Sequence, residues 1–556
     1  MVFVFNKTYK KIVCILFFIL LFLQVHAQPK YKAKIHKYTN DTTFTIASKK
    51  FKTNAQISDY CNKLLKSSKN KGFIASSIDS VYTYQNETNV IFRMANKYYL
   101  KTIHVFDEKN TPLLKYTKSY RNKKLYSIDK IENIKRKIVN NSQNKGFPFP
   151  SINSKTRIDN NKLISHYFKI NSGTKFTYKS IKISNVQRPE LNYISNITKI
   201  KEGEFYKKKD VDNLKAAIIN TGIYAIDSIN LEYFQNELEI TPFIKTLKQN
   251  SISALMGIQT NENDKTSITG NAELHTKNIL KVGDQFDFDW RKNNTESQLL
   301  NISIKFPYIY NAPIGIITEL GLDKRDSSFT KQSIKIGITI PITHKSEIST
   351  HYTSINNTLY ENSNNSSTAK QSLYGLSLKY YNVNNIRIPK KGVIATINLM
   401  SGNRRYNELE NDFILKNNTD INLYFKFLSG SIKLRTLFGY IANDSIKQNE
   451  LFQLGGTKTI RGFNENSIFS KNFNISSVEY RIFIAANSHA SLFYDFGTFY
   501  NNYQKNEHTY RQAIGAGLTI DTKSGILSIV YALGKQNQEA INISNAKVHI
   551  GYTATF

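Results

Sequence analysis

The sequence predicts an array of three small α+β units, each ordered strand–helix–helix–strand–strand, followed by an all-β transmembrane barrel of about 16 antiparallel strands. Three observations carry that expectation. A helix–glycine–strand pattern recurs at nearly fixed spacing in the first half. From about residue 250 the apolar residues switch to a period of two. Beyond the first 27 residues no stretch approaches 18 consecutive apolar residues, which excludes a helical membrane protein but not one that crosses with strands.

Residues 1–27 read as a secretory signal peptide. Lys7, Lys10 and Lys11 give a positive start, and Ile12 to Leu23 is an unbroken apolar run of 12 residues. Val25-His26-Ala27 then supplies a small-residue cleavage site, so the mature chain is expected to begin at Gln28. The run is too short for a spanning helix. Of the 2 cysteines, Cys14 lies in that run and only Cys61 stays in the mature chain, so neither an intramolecular disulfide nor a Cys-based metal site is expected. Cys61 shares an apolar helical face with Ile57, Tyr60 and Leu64 and reads as a small buried hydrophobe.

The formal charge of +34 suggests nucleic acid at first sight, but a secreted chain rarely meets it. The cations are scattered, as solvated faces and attraction to an anionic membrane surface require. The aromatic content is the sharper clue, with 34 Tyr and 34 Phe against a single Trp, Trp290.

In the first half, "KNKGFIASSIDS" (69–80), "QNKGFPFPSINS" (143–154) and "INTGIYAIDSIN" (219–230) resemble one another. Their glycines, Gly72, Gly146 and Gly222, are spaced by 74 and 76 residues. Each follows a helical face: Ile57, Cys61 and Leu64; Ile131, Ile134 and Ile138; Val211, Leu214 and Ile218. A glycine just past the last helical turn supplies the left-handed cap. Two strand-like runs follow, in the third unit "AIDSINLEYF" and "ELEITPFI" around a turn at Gln235-Asn236. The expected units span 28–97, 98–173 and 174–249.

From 250 to 556 the alternation is plain. Ile334, Ile336, Ile338, Ile340 and Ile342 would face one way, with Lys335, Gly337, Thr339 and Pro341 facing the other. Tyr374, Leu376, Leu378 and Tyr380 repeat the pattern, as do Val548, Ile550, Tyr552, Ala554 and Phe556. At ~10 residues per crossing this region accommodates roughly 14 to 18 strands. Polar stretches such as "ENSNNSSTAKQ" (361–371) read as outer loops. The first strand, near Ser251 to Thr260, and the last, near Ala546 to Phe556, must pair to close the barrel.

The unit order, with "IKEGEFYKKKDVDNLKAAIINTGIY" (200–224), resembles the POTRA domain, best in the third unit. With the signal peptide and the barrel, the whole resembles the outer-membrane assembly superfamily that includes BamA, TamA and the two-partner secretion transporters, with its bacterial surface antigen type of barrel. The sharpest mark is "IRGF", Ile460, Arg461, Gly462 and Phe463, which is similar to the family's (V/I)RG(F/Y) motif. The resemblance implies a long extracellular loop folded back into the lumen. Arg461 would then bond Glu479 and Asp495 on the inner wall, Gly462 would let the backbone turn, and Phe463 would pack on the wall. Phe556, with Tyr552 on the same alternating strand, fits the class's C-terminal insertion signal.

The resemblance further implies an outer-membrane location with the POTRA units in the periplasm. It implies no catalytic residue, no metal and no cofactor. Partners would be unfolded outer-membrane or secreted client proteins and outer-membrane lipid, with an inner-membrane-anchored periplasmic partner left open. The leading expectation is a BamA/TamA-like factor that receives client strands by β-augmentation and inserts or translocates them. A two-partner secretion transporter exporting one partner, and a passive or lipid-handling channel, are the rivals. Few, scattered His and no Ser/His/Asp constellation argue against an enzyme.

Overall fold

The computed structural model describes residues 31–556 except 40–41, 52, 85–86, 184–187, 261–265, 293–296, 310–311, 327, 363–364, 387, 408–409, 502–506 and 540–541. The expected signal peptide lies outside the described residues. The chain divides into two compact units, one reaching Phe176 and including Phe205–Lys208, the other holding Thr177–Glu204 and Lys209–Phe556.

The first compact unit contains two sheets of the same topology. Strands β1 (Tyr31–Thr39), β2 (Thr42–Phe51), β3 (Ser77–Tyr84) and β4 (Glu87–Arg93) are ordered β2-β1-β4-β3. Strands β5 (Tyr99–Phe106), β6 (Lys118–Leu125), β7 (Ser151–Ile158) and β8 (Leu163–Asn171) are ordered β6-β5-β8-β7. Helix α1 (Asn54–Asn70) begins where Thr53 Oγ1 accepts from the Gln56 amide, and it sinks Ile57 and Cys61 among Ala33, Ile35, Val90 and Phe92. Helix α2 (Ile128–Gln143) begins at Ser127 in the same way and sinks Ile131 and Ile138 among Leu100, Ile103, Val105 and Phe168. Both are amphipathic helices whose apolar stripe covers one sheet face.

The second compact unit opens with a three-stranded sheet, β10-β11-β9, made of β9 (Thr177–Ile181), β10 (Tyr224–Phe234) and β11 (Glu237–Thr246). Helices α3 (Arg188–Thr198) and α4 (Lys208–Asn220) lie between β9 and β10 in sequence, giving the expected strand–helix–helix–strand–strand order. Gln235 and Asn236 both have positive φ, the two-residue turn whose twist suits a hairpin. In the first two sheets the order differs: a second strand, β2 or β6, stands where a first helix was expected. "TTFTIASKKF" alternates and registers against β1 over nine residue pairs, and "KSYRNKKL" has no apolar residues at helical spacing. Gly72, Gly146 and Gly222 all follow their helices with φ of 93°, 105° and 72°, the left-handed conformation a cap needs.

A closed barrel of 16 antiparallel strands follows. Its first eleven strands are β12 (Ser251–Thr260), β13 (Thr266–Lys277), β14 (Gln285–Lys292), β15 (Gln298–Phe306), β16 (Gly315–Arg325), β17 (Phe329–Thr343), β18 (Ser346–Asn362), β19 (Asn365–Val383), β20 (Gly392–Tyr406), β21 (Glu410–Phe427) and β22 (Gly430–Ala442). A short hairpin, β23 (Phe452–Leu454) with β24 (Ile468–Ser470), interrupts the series. The wall resumes with β25 (Asn472–Phe483), β26 (His489–Asn501), β27 (Glu507–Asp521), β28 (Gly525–Gln536) and β29 (Lys547–Thr555).

The five isoleucines of 334–342 are 45 to 57% exposed, while Gly337 and Thr339 between them are buried. Such an apolar outer stripe is stable only against lipid. Residues 365–371, expected in an outer loop, are instead the start of β19 and pair with β18. At ~3.4 Å per residue and a tilt near ~40°, its 19 residues rise roughly 50 Å, about twice the apolar band of such a barrel, so polar strand ends are what the lengths require. Closure is uneven. β12 and β29 register over two pairs, Ser251↔Thr555 and Ile252↔Ala554, whereas every other neighbouring pair in the barrel has at least eight among the described residues.

Candidate functional site in the barrel lumen

Residues 443–471 connect β22 to β25 at the barrel end away from β9–β11, and they turn inward instead of outward. Hydrophobic contact carries the segment to the wall. Ile460 is fully buried, packed with Leu454 and Ile468 of the hairpin against Leu437, Phe473, Ile475 and Phe499. Thr459 closes the turn before it: its Oγ1 accepts from the Gly455 amide at 2.7 Å and donates to the Gly455 carbonyl at 2.8 Å.

Arg461 then faces two acids. Its Nε donates to Asp495 Oδ2 at 2.8 Å and its Nη2 to Asp495 Oδ1 at 2.6 Å, a two-pronged fork. Its own backbone amide donates to the same carboxylate at 3.1 Å. Nη1 reaches Glu479 Oε2 at 2.7 Å, and the guanidinium lies 3.4 Å from the centroid of the Phe493 ring. Glu479 also accepts from Arg481 Nε at 2.6 Å. The Asp495 side chain is wholly buried, so its charge depends on these partners and not on water.

Gly462 (φ 82°) lies against β28, where a Cβ would come within 2.8 Å of the Gly534 amide nitrogen and 3.0 Å of its Cα. A Cβ on Gly534 would in turn meet the Gly462 carbonyl at 2.5 Å and the Phe463 ring at 3.0 Å. Two glycines therefore let loop and wall touch backbone to backbone. Phe463 is partly buried on the cluster around Ile460.

A second set of anchors has no counterpart in the sequence reading. Glu450, in the 3-10 turn Gln448–Glu450, has a fully buried side chain. It accepts from Arg404 Nε and Nη2, each at 2.8 Å, from Gln371 Nε2 at 2.6 Å and from the Lys447 amide at 3.0 Å. Arg404, itself 1% exposed, also donates to the Ser445 carbonyl at 3.1 Å, and Lys416 Nζ donates to Gln371 Oε1 at 2.8 Å. The root of the segment is thereby tied to β19, β20 and β21. Just past Arg461 in the tip, Arg325 donates to the Asn466 carbonyl at 3.0 Å, and Arg291 pairs with Glu465. The signal that could have found this set is a lone Glu in a polar connection opposite inward Arg and Lys of period-two strands, which is weak.

Tyr552 and Phe556 lie apart from the lumen. Tyr552 and Phe556 are both exposed at the end of β29, and the Phe556 amide donates to the Asn250 carbonyl at 3.0 Å beside the short closure. In the lumen, the guanidinium and carboxylate groups saturate one another, leaving no free nucleophile or base among the site residues. What the arrangement can do is hold a segment across a pore.

Residues 278–554 match the family model described as the Omp85 superfamily domain. Among solved structures, CdiB from Acinetobacter baumannii is 13% identical with a TM-score of 0.52, over 90% of this chain and 97% of that chain. CdiB from Escherichia coli is 10% identical with a TM-score of 0.54, again over 90% and 97%. BamA from Haemophilus ducreyi lacking POTRA domains 1–3 is 15% identical with a TM-score of 0.44, over 79% and 95%. At such identities the likeness to CdiB is one of fold. No curated protein matches the chain.

Proposed function

This chain belongs to the Omp85 superfamily of outer-membrane β-barrels, and on that premise we propose that it is a TamA/BamA-like factor that inserts or translocates client proteins. The periplasmic POTRA-like units receive unfolded client segments by β-augmentation, since a free sheet edge offers unpaired N–H and C=O groups with little sequence demand. No energy source is needed in the chain, because the clients' own folding and burial drive the process. The observation that carries the reading is the closure of the barrel. Two register pairs join β12 to β29 while its neighbours have at least eight, so this edge is the one most readily freed for a client strand.

A second reading, a two-partner secretion transporter, is favoured by the lumen itself. A basic, polar channel closed by one inward segment would become a pore once that segment withdrew. Arg291 and Arg325, on the wall around the tip, would line the path of an unfolded polypeptide passing through. Depletion followed by quantitative proteomics of outer-membrane and secreted fractions separates the two. Loss of several barrel proteins supports assembly, and loss of one secreted protein with barrels unchanged supports export. No change in either fraction rejects both.

A further inference from the structure

At the other end of the lumen a cavity of about 350 Å³ lies between α3 and α4 and the inner wall. It is far from Arg461 and plays no part in holding the inward segment. The surrounding contacts fix its roof. Lys199 Nζ donates to the Ile342 carbonyl at 3.0 Å, Asn220 Nδ2 to the His344 carbonyl at 3.2 Å, and the Tyr193 and Tyr308 rings meet edge to face at 5.9 Å. Tyr224 donates to Glu190 at 2.6 Å and accepts from Asn278 at 3.1 Å, tying the same sheet to the end of β13.

The cavity's charge is unbalanced. Lys199, Lys277, Lys305 and Lys379 line it, with Glu347 as the one carboxylate in the lining. Glu347 is used by Lys305, at 2.6 and 2.7 Å. Lys277 and Lys379, on β13 and β19, line the same cavity and form no ion pair among the described residues; the further carboxylate whose charge bears on Lys277, Asp287, already pairs with His275 at 2.8 Å. Uncompensated like charges in a confined space are costly unless a counter-charge arrives.

Hydrogen-bonding groups lie at the same place. Tyr193, Tyr308 and Tyr381 line the cavity, and His344 Nε2 there is buried with no hydrogen-bond partner among the described residues. Burial, with Tyr308 beside it, pushes the Tyr193 hydroxyl well above its ordinary range, so it stays a donor at any physiological pH. Ammonium groups and phenolic hydroxyls converging on one polar cavity match a compact, multiply charged oxyanion, for which lysine serves as a point-charge ligand.

We propose that this vestibule is a binding site for a phosphate group, held by Lys277 and Lys379 with the tyrosine hydroxyls as donors, and that its occupant clamps the α3–α4 face to the barrel mouth. The group reaches the site either as free phosphate or as the headgroup of an anionic phospholipid.

The test uses the full chain in detergent micelles. Thermal unfolding followed by circular dichroism is titrated with inorganic phosphate against chloride at matched ionic strength, and separately with phosphatidylglycerol against uncharged diacylglycerol. Binding to the folded state raises the midpoint saturably, and in Lys277→Gln/Lys379→Gln the apparent affinity falls at least about tenfold. A response to inorganic phosphate identifies free phosphate as the source, and a response to phosphatidylglycerol alone identifies the headgroup. Should the double variant fail to fold, amine acetylation of the unaltered protein decides. The same ligand must protect Lys277 and Lys379 while leaving the exposed Lys523 reactive. No midpoint shift with either ligand, an equal shift in a folded variant, or uniform acetylation overturns the proposal.

Discussion

Replacing Arg461 by alanine isolates the tip of the lumen segment from its root. The change removes both prongs to Asp495, the bond to Glu479 and the stack on Phe493. Glu479 keeps Arg481 at 2.6 Å, so most of the cost falls on Asp495, wholly buried and left with the backbone amide of residue 461. Removing one partner of a buried ion pair costs about 3–5 kcal/mol. Taking ~4 kcal/mol at ~1.4 kcal/mol per factor of ten, local opening of the tip becomes roughly a thousandfold more frequent. Arg461→Lys keeps the charge but not the planar fork, so its effect should be intermediate.

The assay is hydrogen exchange of the full chain in lipid nanodiscs, comparing peptides covering 455–467 with those covering 445–454. The tip should lose protection by about three orders of magnitude while the root, held by Glu450 and Arg404, keeps it. Tip exchange within about threefold of the parent, or a root that exchanges as fast as the tip, refutes the reasoning.

The converse substitution, Glu450→Gln, leaves the buried Arg404 with only Asp412 at 3.3 Å as a charged partner and should loosen 445–454 by less than the about 3–5 kcal/mol of a fully stranded charge, with the tip less affected, read by the same exchange experiment. Gly462→Ala meets both a positive φ and the Gly534 backbone, so it should displace the tip as strongly as Arg461→Ala while leaving every charge in place. A cysteine pair at Ile252 and Ala554, which face each other in register, should form a disulfide and abolish client insertion until reduced, with Cys61→Ser as background. Undiminished insertion by the oxidised protein would exclude opening at this edge. Burial, reinforced by Lys135, holds the His166 imidazole below its ordinary value, so protonation favours the unfolded state. The stability it contributes is complete above about pH 6.5 and is lost as pH falls toward the depressed value. Proteolysis within Ser151–Asn171 should accelerate over that interval, and His166→Phe should flatten the dependence.

The barrel was legible because a two-residue period in a stretch such as 334–342 reports a wall with one face in lipid, and length then sets the number of strands. The glycines after the helices were legible for a similar reason, since a cap is a local requirement. β2 and β6 were not: the alternation in "TTFTIASKKF" went unread where a helix was expected, and β6 has too little apolar content to distinguish it from a helix or loop. The polar start of β19 misled because polarity in a barrel strand can mean a wall standing above the lipid or facing the lumen, as with the buried Gln371. Arg461 lies beside Glu479 and Asp495, 18 and 34 residues on, and only the family pattern linked them in sequence. Arg404, Gln371 and Glu450 belong to no short pattern; 46 and 79 residues separate Glu450 from its partners, and only strand registration brings them together.

The lumen segment has a mechanical consequence. A tube closed by two residue pairs along one line behaves as a split ring, whose softest deformation is to spring apart at the split and flatten elsewhere. The segment spans that ring as a chord, fixed to the arc of β19–β21 at Arg404 and Gln371 and to the arc of β25, β26 and β28 at Glu479, Asp495 and Gly534. Any change in the cross-section stretches or slackens the chord. Splaying of the split and release of either fastening are therefore coupled in free energy, and a substitution at one is felt at the other without any contact between them.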